Sequence, residues 1–127
     1  AMQVPKKMGV ELVDFDDFRP GLYREGRYRE AMQVTADHYR PMVKNYTGLY
    51  RDLAVRKRPS EIDGTVGTTV EMGEKQGLSL PLSRRLVEMV HEIEAGKREI
   101  CTENLLELQA EYKRLYPNGL EELRSRV

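Results

Sequence analysis

The stretch Arg58-Pro-Ser-Glu-Ile-Asp-Gly-Thr-Val-Gly67 constrains this chain more than any other. Pro59 disfavours helix at Arg58, so a helix should begin just after it. Ser60 offers an N-cap hydroxyl, and Asp63, three residues on, completes a capping-box-like pair. Glu61 then falls on the first turn, near the positive end of the helix dipole. Gly64 and Gly67 leave one strip of this helix almost without side chains. Each glycine costs roughly 1 kcal/mol in a helix interior, so the pair implies close approach by another backbone or a ligand. A capped helix packed tightly on a neighbour explains the same spacing.

The flanking pattern is helical throughout. Residues 2–9 read as the last turns of a helix closed by Gly9. Val10–Phe15 is a short extended piece, and Asp16–Gly21 is turn chemistry. From Gly26, the residues Tyr28, Ala31, Met32, Thr35 and Tyr39 form an amphipathic stripe that Pro41 interrupts. Thr47–Val55 follows, with Leu49, Leu53, Tyr46 and Tyr50 as its apolar face. The cations Arg56-Lys57-Arg58 stand at its C-terminal end, where they suit the dipole. The central helix spans about Glu61–Gln76, with Ile62, Val66 and Val70 in register, and Gly77 closes it. Pro81 suits the first position of a helix carrying Leu82, Leu86, Met89, Val90 and Ile93, which Gly96 ends. Thr102 caps a last helix with Leu105, Leu106, Leu108, Tyr112 and Leu115 on its apolar side. Pro117-Asn118-Gly119 stops it ahead of a Glu/Arg-rich tail within 117–127. No alternation persists long enough for a sheet, so the expectation is one all-α helical bundle over 1–127.

With 127 residues the chain has the size of one domain, and its 21 basic and 21 acidic side chains balance. That balance gives no electrostatic case for nucleic acid or an acidic membrane surface. No apolar run approaches the ~20 residues of a membrane span. The lone cysteine, Cys101, cannot form an internal disulfide, which fits a cytoplasmic home. It is expected to be a packed thiol rather than a nucleophile. His38 and His91 read as surface histidines. There is no glycine-rich phosphate loop and no metal-ligand spacing. The chain opens Ala1-Met2, and Ala1 reads as a cloning remnant on an expressed piece of something longer. Glu61, on its capped and glycine-lined helix, is the one candidate for chemistry.

The order of residues from Asn45 to Pro81 resembles the C-terminal domain of the ketopantoate reductase (2-dehydropantoate 2-reductase) family. That family shows a helix ending in a Gln-Asp-like pair, a basic connector, then Arg-Pro-Thr-Glu-Ile-Asp, a glycine, and later Gly-Val-x-x-Pro. Here those read Arg51-Asp52, Arg56-Lys57-Arg58-Pro59, Ser60-Glu61-Ile62-Asp63, Gly67, and Gly77-Leu78-Ser79-Leu80-Pro81. The Leu/Val spacing from Leu82 to Glu94 matches as well, and Val10–Pro20 adds a weaker likeness.

The resemblance implies an NADPH-dependent 2-keto acid reductase of pantothenate biosynthesis. Its N-terminal Rossmann domain would hold the nucleotide, and its helical domain, like that of 6-phosphogluconate dehydrogenases, would close over the substrate. A lysine on the family's first helix after the Rossmann domain supplies the proton. Lys6 and Lys7 lie too late in the domain to be that lysine, so this chain alone is expected to have no turnover. Glu61 occupies the position of the family's active-site glutamate. A helix N-terminus favours the charged carboxylate, so Glu61 is better cast as an acceptor. It would hold a ribose or substrate hydroxyl, or orient the lysine. Asp52 stands where the family has an acid before the connector, and helix packing or capping explains it equally well. The family has a substrate-binding serine near Leu49, where this chain reads Thr47-Gly48-Leu49, and Thr47 takes that role if the register shifts by two. A homodimer is expected. The competing reading is a helical interaction or dimerisation module without an active site.

Overall fold

A computed structural model describes residues 2–43 and 46–119 of the chain. The described residues are all-α. Helices α1 (Gln3–Lys7), α2 (Pro20–Arg24) and α3 (Tyr28–Tyr39) precede α4 (Gly48–Tyr50), which continues into a π-helical turn over Arg51–Arg56. A second π-helical turn, Asp63–Gly67, runs into α5 (Thr68–Lys75), and α6 (Pro81–Glu94) and α7 (Glu103–Leu115) follow. Phe15 and Phe18 form one isolated antiparallel bridge around the Asp16-Asp17 turn. The Glu/Arg-rich tail expected after Gly119 lies outside the described residues.

The glycine stops behave as their chemistry requires. Gly77 adopts φ +72°, which lets Gly77 N–H donate to Glu74 C=O and Leu78 N–H donate to Gly73 C=O, both at 2.9 Å. This is the left-handed close that glycine makes without strain. Pro20 and Pro81 each sit in the first turn of a helix, so α2 begins inside the segment expected to be a turn.

The core forms where the π turns meet α6. Leu53, Ile62 and Val90 are buried together, with Leu49, Val66, Val87 and Ile93 packed against them. A second contact joins α1 to α5. A β-carbon on Gly73 would stand 2.6 Å from Leu80 Cδ1 and 3.1 Å from Val4 Cγ2. The glycine that another element closely approaches is therefore Gly73. At Gly64 nothing lies within 4 Å of that position, and at Gly67 the nearest atom is Asp63 Oδ1 at 3.3 Å.

Charge joins α7 to α6. Arg85 donates to Glu92 (2.7 Å) and Glu107 (2.6 Å), and Arg98 donates to Glu92 (2.5 Å) and Glu107 (2.8 Å). The guanidiniums hold the Glu92 and Glu107 carboxyls below the usual range, Arg85 acting most on Glu92 and Arg98 most on Glu107.

Several expected apolar faces are not covered. On α3 only Ala31 is buried, while Met32 and Tyr39 are exposed. Tyr46 and Tyr50 stack on each other at 4.7 Å and remain exposed rather than joining Leu53. On α7, Leu105 and Leu106 are 67% and 57% exposed, because the contact with α6 runs through the arginine–glutamate ring on another face. Thr102 does not cap α7 with its hydroxyl. The Glu103 carboxyl, in the first turn, is held below its usual range by its own N–H and then by the Cys101 thiol. Cys101 itself is exposed, which corrects the expectation of a packed thiol.

Candidate functional site

Glu61 is exposed, yet the backbone that carries it is fixed on both sides. Ser60 donates its N–H (2.7 Å) and its hydroxyl (2.6 Å) to Glu94 Oε1 at the end of α6. The Thr65 hydroxyl donates to Glu61 C=O at 3.0 Å and lies 3.2 Å from Ile62 C=O. Ile62, the next residue, is 3% exposed in the core. The main chain at Glu61 is thus pinned while its carboxylate points outward, without a hydrogen-bond partner among the described residues.

This arrangement replaces the expected cap. Ser60 donates its hydroxyl to a carboxylate 34 residues away, and among the described residues no helix N–H donates to its oxygen. Asp63 does not reach back to Ser60, and its Oδ1 lies 3.0 Å from His91 Nε2. The helix opens two residues later than expected, as a π turn closed by Gly67 N–H donating to Ile62 C=O at 2.9 Å. Gly64 and Gly67 explain why a wide turn is tolerated here, since both already disfavour the regular helix. Such turns recur at functional sites.

Thr47 immediately precedes the glycine that borders this carboxylate. Its extended backbone and its hydroxyl, which accepts Tyr50 N–H at 3.1 Å, make it the N-cap of α4. A capping hydroxyl keeps its own hydrogen to donate, and Thr47 is exposed. Gly48 follows it, and a β-carbon there would stand 3.8 Å from Glu61 Oε1. The start of α4 and the Glu61 carboxylate therefore share one bare edge.

Asp52 faces the other way. It is 8% exposed, and its Oδ1 accepts from Arg56 Nη1 (2.7 Å) and Arg58 Nε (2.9 Å). Those two hydrogen bonds, Arg56 first, hold its carboxyl below the ordinary range. Arg58 can reach it because Lys57 takes a left-handed φ of +51°. What Asp52 does here is seat the basic connector that leads to Glu61.

Sequence reasoning missed Glu94 and the His91–Asp63 contact, because these partners are set by how α6 crosses the π turn, and it missed Thr65, whose hydroxyl bonds back to local carbonyls. It also missed that the ligating atoms of Asp16, Asp17 and His38 lie within 4.8 Å of one another. A groove of about 720 Å³ runs between Tyr50, Lys57, Pro59, Ile93, Glu94 and Ile100. Neither Glu61 nor Thr47 lines it, so it is not the cleft expected at Glu61. No described helix is long and apolar enough to cross a membrane. Residues 1–94, which stop short of α7, match the family model described as ketopantoate reductase PanE/ApbA C terminal. No curated protein and no solved structure matches.

Proposed function

The chain belongs to the ketopantoate reductase family as a C-terminal domain, and from this premise we propose that it forms the substrate-side wall of an NADPH-dependent reductase acting on a small 2-keto acid. The observation that carries the reading is Glu61: a carboxylate without a hydrogen-bond partner among the described residues, on a pinned backbone, beside the glycine-bare edge that follows Thr47. Glu61 accepts a hydrogen bond from a substrate or ribose hydroxyl, or orients the proton-donating lysine. Thr47 donates to a substrate oxygen. Asp52 contributes by anchoring Arg56 and Arg58 rather than by reaching out.

The nucleotide, when bound, supplies hydride to the keto carbon. This chain offers no Gly-x-Gly-x-x-Gly turn after a strand, so the pyrophosphate belongs on a partner Rossmann domain. An exposed carboxylate acceptor suits the ribose or substrate side of that ligand. The reading carries with it a role in making pantothenate. It also carries a homodimer, for which the exposed Leu105 and Leu106 are available apolar surface.

The test is NADPH consumption by the complete two-domain protein with a panel of 2-keto acids. Glu61→Ala should lower turnover by about two orders of magnitude with the circular dichroism of the helices unchanged. Turnover that survives the substitution removes Glu61 from the mechanism. An upstream region without the dinucleotide motif would favour an interaction module.

A further inference from the structure

We propose that Glu94, assisted by Thr65, is a positioning residue for Glu61. The proposal rests on the reading of Glu61 as the working carboxylate. Glu94 is the last residue of α6, and a single oxygen of its carboxylate collects both Ser60 donors, at 2.7 and 2.6 Å. Hydrogen bonds to an ionised acceptor are short and strong, and two from one residue fix its direction as well as its distance. Thr65 holds the carbonyl of the next residue, Glu61, at 3.0 Å. Ile62 sits in the core directly after it.

The consequence is mechanical. Ser60, one residue before Glu61, is tied to α6, and the peptide after Glu61 is tied to the π turn, so the backbone is held on both sides of Glu61 while its side chain points outward. This suits a carboxylate that must meet a ligand arriving from another domain, because a misplacement of about 1 Å can cost about 100-fold in rate. The regular N-cap expected of Ser60 would tie this residue only to its own helix. The observed pair ties it to a helix that also carries Val90 of the core.

Two measurements on Glu94→Ala and Glu94→Gln decide the matter. In this chain, amide hydrogen exchange at Ser60 is followed by NMR. In the complete reductase, kcat and KM for the 2-keto acid are measured, with Glu61→Ala alongside. Glu94→Ala should speed Ser60 exchange at least tenfold and lower kcat about 10- to 100-fold, with KM within about twofold. Glu94→Gln keeps an acceptor oxygen and should restore both. Unchanged exchange in Glu94→Ala, or faster exchange with unchanged kcat, overturns the positioning role while Glu61→Ala remains costly. If the complete protein has no turnover, or Glu61→Ala is harmless, the functional reading fails and this proposal falls with it.

Discussion

Glu61 Oε1 lies 3.8 Å from the point where a β-carbon on Gly48 would stand. The contact is an ordinary van der Waals distance, so the edge has room for a methyl group and little more. The bareness of position 48 therefore bears on access to the carboxylate.

Replacing Gly48 separates access from stability. Gly48→Ala sits in the first turn of α4 without a clash and should stabilise the chain by about 0.4–1 kcal/mol through the unfolded state. Gly48→Leu should leave the melting temperature within a few degrees while lowering turnover of the complete reductase about tenfold or more. Thermal unfolding and steady-state kinetics on the two variants check this. Full activity in Gly48→Leu would mean that ligand does not approach Glu61 over this edge.

Gly73 should respond in the opposite sense. A methyl group there meets Leu80 Cδ1 at 2.6 Å and Val4 Cγ2 at 3.1 Å. Overpacking costs about 1–3 kcal/mol, against about 1 kcal/mol gained in helix propensity. The net effect of Gly73→Ala is a loss of about 1 kcal/mol, read as a lower urea midpoint at constant slope. Combining it with Leu80→Ala should give a coupling energy of favourable sign, since the second change removes the clash.

Asp52 makes part of the stability depend on pH. Its carboxyl is lowered in the folded chain by Arg56 and then Arg58, whereas the unfolded value is about 3.9. A lowered folded value means the native state favours the charged form. The stabilisation is therefore present above about pH 4 and is lost as the pH falls through the folded value. Asp52→Asn should melt lower than the parent at pH 7, and the gap should close on acidification. A gap that stays constant from pH 7 to pH 2.5 would assign the loss to packing instead. Glu92 and Glu107, lowered by Arg85 and Arg98, are present in both proteins and cancel in this comparison.

What the sequence made legible was the part written in local periodicity. The stripe of α6 put Met89 and Val90 inside, where both are buried, and Gly9, Gly77 and Gly96 all take positive φ. The all-α class and the family assignment followed from the same segments. For two of the misses the deciding partner is remote in the chain. Ser60 has the composition of a cap, but its N–H and hydroxyl are directed at Glu94 at the end of α6. Leu105 and Leu106 fit an amphipathic face, but a charged ring fixes which side of α7 meets α6. Neither π turn leaves a periodic signature in so few residues. The glycine pair 64 and 67 was the available signal, and it marked a wide turn rather than a close approach.

The wide turn at Asp63–Gly67 has an angular consequence. In a regular α-helix each residue advances about 100°, so residues eight apart, such as Ile62 and Val70, drift out of line by about 80°. A turn that takes more residues per revolution runs that drift backwards. Ile62 and Val70 are each 3% exposed, the first against Val90 and the second on the helix that receives α1. The extra residue works as a phase correction, reducing the angular offset between two buried anchors about two turns apart.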